Sequence, residues 1–140
     1  MTLPTEYVQL HPGTTPPEIA GGEPFLAVVI IDCESSAEWQ ALVSAWLVEA
    51  GCLYMVASGE TSNSWDDSVD FANTMQFEFG EIPNEKFVMT AWFSQNTLGE
   101  AFWFSKNNAV HPTIELNRTI LVHISSSNRE RALLREYANA

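Results

Sequence analysis

The chain has 140 residues, 46% of them hydrophobic, with five Trp, eight Phe and a formal net charge of -12. That length is one domain able to bury a real core, and the apolar content argues against disorder despite the charge. No apolar run approaches the roughly 18 residues of a membrane span, and the acidic excess is hostile to nucleic-acid phosphates.

The acids are segregated along the chain. Residues 1–85 carry fourteen Asp and Glu and no Lys or Arg, whereas all six basic side chains lie from Lys86 onward beside four acids. Solubility alone needs no such split, since interspersed charges supply it. The split points to a negative surface suited to a basic protein partner. The opening MTLPTEYVQL has neither a basic start nor an apolar stretch, so no secretory leader is expected and the location expected is cytoplasmic.

In chain order, Tyr7–Leu10 is a candidate edge strand. His11–Pro24, with four prolines and three glycines, reads as a surface arm of a single domain over 1–140. Phe25–Ile31 is an uncharged, β-branched run of the kind a strand covered on both faces requires. Ser35-x-x-Glu38 has the form of a capping box, and Trp39, Leu42, Val43, Trp46 and Leu47 then follow one helical face up to Gly51. Cys52–Ala57 is the second core strand and Ser58–Asn63 a loop. A helix from Ser64 should turn Trp65, Val69, Ala72 and Met75 inward. Phe87–Phe93 is the third core strand. Thr97-x-x-Glu100 opens a helix with Leu98, Ala101, Phe102 and Ser105 on one side. Trp103 and Phe104 cannot both join Phe102 inward, because neighbouring helical residues diverge by about 100°, so one of them should be exposed or cover a neighbouring loop. Thr119–Ile124 is the fourth core strand, and Ser127-x-x-Glu130 opens a last helix presenting Leu133, Leu134, Tyr137 and Ala138.

This alternation predicts an α/β three-layer sandwich around a mainly parallel sheet of four to five strands, flavodoxin-like or Rossmann-like in order. The flavodoxin order, 2-1-3-4 for the core strands, is the simplest. Cys33 and Cys52 then fall at opposite ends of adjacent strands, roughly 17–20 Å apart, too far to pair. Free thiols are expected.

Open parallel sheets bind ligands beyond the carboxyl ends of their strands, where the order reverses. The flavodoxin order sets that crevice between the first and third core strands. Asp32, Cys33 and Glu34 would line one side and Ser94, Gln95 and Asn96 the other, flanked by Ser58–Glu60 and Ser125–Ser127. Asp32 in that place could be a nucleophile, a base or a cation ligand. Glu34, however, stands where an Asp-x-Asp pair would have its second Asp, and no Lys ends a later strand. The blander reading is that both acids complement the positive end of the first helix. Cys33 also adjoins a helix start, which lowers a thiol pKa, but its acidic neighbours raise it; a small apolar filler is the plainer role. His11, His111 and His123 lack zinc-site spacing. Asp66 and Asp70, one turn apart, could share a hard cation but have no third ligand in sequence. No Gly-x-Gly-x-x-Gly and no Gly-Lys-Ser/Thr loop is present. No cofactor and no metal are expected.

Trp65-Asp-Asp-Ser-Val-Asp70, Phe87-Val-Met-Thr-Ala-Trp92, Phe102-Trp-Phe-Ser-Lys106 and His111-Pro-Thr113 together resemble a family of small bacterial proteins without an assigned function. The likeness covers about residues 25 to 138 and implies no mechanism. In general character the chain also resembles the small acidic immunity proteins that bacteria make against basic nuclease toxins, a likeness that transfers no residues.

The expectation is an acidic, cytoplasmic binding protein that neutralises or regulates a basic protein partner. Glu60, Asp66, Asp67, Asp70, Glu78, Glu81 and Glu85 are the expected contacts, with Trp65 or Trp103 as anchors. The alternative is a hydrolytic or cation-assisted enzyme at the strand-end crevice, using Asp32, Glu34 and Asn96. A subunit of a larger assembly is a third possibility. Oligomeric state is not legible.

Overall fold

The computed structural model describes residues 5–140; residues 1–4, on which the leader expectation partly rests, lie outside the described residues. Five strands form one sheet: β1 (Glu6–Leu10), β2 (Phe25–Ile31), β3 (Cys52–Gly59), β4 (Met89–Phe93) and β5 (Thr119–Ile124). Four helices alternate with them: α1 (Ala37–Ala50), α2 (Ser62–Gln76), α3 (Leu98–Asn107) and α4 (Glu130–Ala138). Every pairing is parallel, in the order β1-β5-β2-β3-β4.

Strands with no charge and near-continuous β-branched residues bury both faces. Phe25, Ala27, Val29, Met55, Ala57, Ile120 and Val122 pack on one side beneath Trp39, Val43 and Leu47 of α1 and Trp65 and Val69 of α2. Leu26, Val28, Tyr54, Val56 and Leu121 pack on the other beneath Ala101 and Phe102 of α3 and Leu133 and Tyr137 of α4. The α/β three-layer sandwich follows. Trp39 meets Trp65 edge-on, with ring centroids 6.4 Å apart, and so locks α1 against α2.

The order of β2 to β5 is the Rossmann-like one, and the 2-1-3-4 flavodoxin order is corrected. β2 lies between β3 and β5, so β4 sits at an edge and does not adjoin β2. The first two crossovers use one face and α3 the other, which moves the reversal point to between β2 and β5.

Local differences have local causes. Ser36, not Ser35, accepts the Trp39 amide and caps α1. Thr97 makes no capping bond, and α4 starts at Glu130, whose amide donates to the Asn128 side chain rather than to Ser127. In α2 the buried stripe is Ser62, Trp65, Val69 and Asn73, which leaves Met75 outside; Leu42 of α1 is likewise exposed. Asn73 accepts the Val88 amide and donates to the Lys86 carbonyl, fixing the approach to β4. His111 does similar work: it contacts the Phe87 carbonyl at 2.7 Å and accepts the Thr113 and Ile114 amides. The Pro/Gly-rich arm is strapped across α1 by two indole donors, Trp39 to the Thr14 carbonyl and Trp46 to that of Pro17. Both cysteines are free. Among the described residues no helix is long and apolar enough to cross a membrane.

Candidate functional site

Two regions stand out, and the first lies beyond the carboxyl ends of β2 and β3. Gly59 closes β3 at φ +137°; a Cβ there would come within 2.6 Å of the Ile31 carbonyl oxygen, so only glycine lets the two strand ends approach this closely. The chain then diverges and leaves a cavity of about 500 Å³. Ile30, Ile31 and Leu98 supply its apolar part, and Asp32, Cys33, Glu34, Ser58, Glu60, Thr61, Gln95 and Asn96 its polar rim. Asn96 adopts φ +71°, a left-handed conformation that asparagine tolerates better than most residues.

The sequence-predicted crevice is therefore largely present, although the strand order behind it differed. Asp32, Glu34 and Asn96 share the cavity because the loop after β4 reaches across the end of β3. Ser125–Ser127 fall on the far side of β2 and do not line it. Glu60, expected both to flank the crevice and to contact a partner, lines this cavity.

Asp32 is engaged by a residue of β5. Its carboxylate takes a 2.6 Å hydrogen bond from Nε2 of His123, a residue with no exposed surface. On the other side of the ring, Nδ1 lies 2.7 Å from the Tyr7 hydroxyl, and that hydroxyl accepts the Arg129 amide at 3.0 Å. One set of protons satisfies the whole chain. A carboxylate can only accept, so Nε2 carries hydrogen, and Nδ1 is free to accept from Tyr7. The register explains the meeting: Ile30 pairs with His123 and Tyr7 with Leu121, so one face of three adjacent strands brings Tyr7, His123 and the Asp32 side chain together. Burial is the main force raising the Tyr7 hydroxyl pKa. Burial, and then the Asp32 charge, raise that of Cys33, which weakens it as a thiolate nucleophile. Sequence reasoning missed Tyr7 and did not join His123 to Asp32. The available signal was a histidine in an otherwise apolar strand, where an unpartnered imidazole would be costly.

The second region is the outer side of α2 and the edge strand β4. The Ser62 hydroxyl donates to the Phe93 carbonyl, and the Thr90 hydroxyl to Asp70, so the helix runs antiparallel to the strand. Asp66 then lies level with the stretch that holds Trp92. Trp92 pairs with Ala57 and shares its face, the one α2 covers, yet is 51% exposed. Phe71 and Phe79 meet edge-on at 5.8 Å and are 58% and 61% exposed, with Met75 exposed between them in sequence. The carboxylate atoms of Asp66, Asp67 and Asp70 lie within 4.8 Å of one another. Burial, opposed by the Thr90 hydrogen bond, raises the Asp70 pKa, and its two acidic neighbours add to the rise. Glu78, Glu81 and Glu85 are exposed in the segment between α2 and β4. Trp65 is corrected as an anchor: it is 1% exposed and belongs to the core. Trp103 is exposed, but on α3 in the other helical layer.

Neither a curated protein nor a solved structure matches the chain. A family model does, over residues 5–140, in keeping with the resemblance to proteins of unassigned function. The chain therefore belongs to the family described as Domain of unknown function (DUF7684).

Proposed function

We propose that the protein binds a basic protein partner through the face made by α2, the segment that follows it and the edge strand β4. The carrying observation is that α2, the segment after it and β4 leave Phe71, Met75, Phe79 and Trp92 exposed, Phe71 and Phe79 in contact, while α2 also carries the clustered carboxylates of Asp66, Asp67 and Asp70. Contiguous apolar surface costs about 25 cal/mol per Å² left in water, and patches rimmed by polar residues mark interaction surfaces. Glu78 and Phe79 are consecutive non-glycine residues at φ +54° and +61°. Strain of this kind costs of order 1–3 kcal/mol per residue. Here it supports Phe79 being held against Phe71 at the surface.

Charge selects the partner. Among the described residues no Lys or Arg pairs with an acid of this face, so its negative charge is left uncompensated for a cationic protein. Glu78, Glu81 and Glu85 extend the negative field, which speeds encounter and sets specificity. Neutralising or regulating a basic protein in the cytoplasm, as the small acidic bacterial immunity proteins do, is the role this combination supports.

The test is affinity capture from native lysate at about 0.05 M and about 0.5 M salt, a range that shortens the screening length severalfold. A basic protein should bind at low salt and be released at high salt. Phe71→Ser with Trp92→Ser should weaken that complex at least tenfold, about 1.4 kcal/mol. No basic protein retained, or equal retention by the double variant, sinks the reading.

A further inference from the structure

The strand-end cavity shares no apolar or Asp lining residue with the partner face and contains a device the partner reading does not use. A wholly buried histidine, held at both nitrogens, orients one carboxylate at the cavity mouth. A leucine at position 123 would fill the apolar layer without needing partners. The fold instead accommodates Tyr7, His123 and the Arg129 amide in one polar chain that ends at Asp32. That carboxylate gives one oxygen to the imidazole, and its side chain, 43% exposed, borders the cavity. We propose that this cavity binds a small organic cation, an alkylamine or guanidino compound, with Asp32 as the anchoring carboxylate.

The lining gives the ligand its class. Asp32, Glu34 and Glu60 contribute three negative charges, and no Lys or Arg lines the cavity. Ile30, Ile31 and Leu98 offer apolar contact for methylene groups, and Gln95 and Asn96 offer amide oxygens to N–H donors. The spacing separates an organic cation from a bare metal ion. Among the described residues, only Asp66, Asp67 and Asp70 bring three ligand atoms within 4.8 Å of one another. The cavity carboxylates are more dispersed than that. They suit separate N–H groups on an extended molecule rather than one coordination centre. A cavity of about 500 Å³ falls in the range of small-molecule sites. His123 and Tyr7 are positioning residues: they fix the Asp32 carboxylate before the ligand arrives, which lowers the ordering cost of binding.

The experiment is an amide-resolved NMR titration of the full chain with spermidine and with L-arginine, and with magnesium chloride at matched ionic strength. One of the two organic cations should give saturable shifts at Cys33, Gly59 and Asn96, and Asp32→Asn should weaken it about tenfold or more. Glu34→Gln, outside the hydrogen-bonded chain, should weaken it about threefold and decides the matter if Asp32→Asn does not fold. Absence of saturable shifts with both organic probes overturns the proposal. So do equal shifts with magnesium, or wild-type affinity in Glu34→Gln. Phe71→Ser, which acts on the partner face, should leave the titration unchanged; loss of binding in that variant also overturns it.

Discussion

Cys33 and Cys52 lie on either side of α1 in the chain but are chemically unlike. Cys52 has no exposed surface, and burial pushes its thiol up to about 12. Cys33 is half-buried at the cavity, and its pKa is raised by burial and by Asp32. A water-soluble maleimide at neutral pH should therefore label Cys33 alone, with Cys52 following only in denaturant. Intact-mass spectrometry reads the count, and two labels on the folded chain would contradict the packing. Glu6 shows the opposite influence. The Arg118 guanidinium grips it at 2.6 and 2.8 Å, and this bond, against the desolvation that opposes it, holds the carboxyl below its ordinary value. A carboxyl depressed by folding adds stability above its unfolded pKa and loses it as pH falls through the folded one. Glu6 is 43% exposed, so solvent screening limits the pair to about 0.5–1 kcal/mol. Glu6→Gln should cost that much at neutral pH, and its urea midpoint should meet that of the wild type at acid pH.

At the scale of elements, the two tryptophans proposed as anchors make a clear contrast. Trp65 begins the buried stripe of α2 and wedges against Trp39, so Trp65→Ala should cost about 3–5 kcal/mol in urea unfolding. Trp103 projects from α3 into water, and Trp103→Ala should stay within about 0.5 kcal/mol. The sequence set Phe102 inward but could not choose between Trp103 and Phe104. The choice came from β3 and β4, since Phe104 packs against Tyr54 at 6.2 Å and Phe93 at 5.4 Å. α2 was misread for a related reason. Its apolar stripe is interrupted by Asn73, a polar residue whose burial depends on backbone groups thirteen and fifteen positions away. No helical periodicity can reveal such partners, so Met75 was counted as core and Asn73 was not.

Across the whole molecule, the net charge of -12 is offset by little internal pairing: among the described residues only Arg118 with Glu6 joins a Lys or Arg to an acid. Self-repulsion among the remaining acids opposes the compact state, and salt screens it. The melting temperature should rise between about 0.01 M and about 0.3 M sodium chloride. A fall would mean that attractive pairs dominate the field. The layered α/β architecture was legible because strand-type runs, helix faces and the capping glycine Gly51 are local signals that each carry their own physics. Strand order was not, because four parallel strands with the same apolar character satisfy several orders equally well. The same division runs through the candidate sites. Composition and charge position alone determined that Asp32, Glu34 and Asn96 follow strands and that the front of the chain is acidic. Only tertiary structure decided that Tyr7 would hold His123, 116 residues away, and His123 would hold Asp32, or that Phe71, Phe79 and Trp92 would be left in water. The physical reason is that period and propensity act over a few residues, whereas the burial and pairing of a polar group depend on whatever the fold brings beside it.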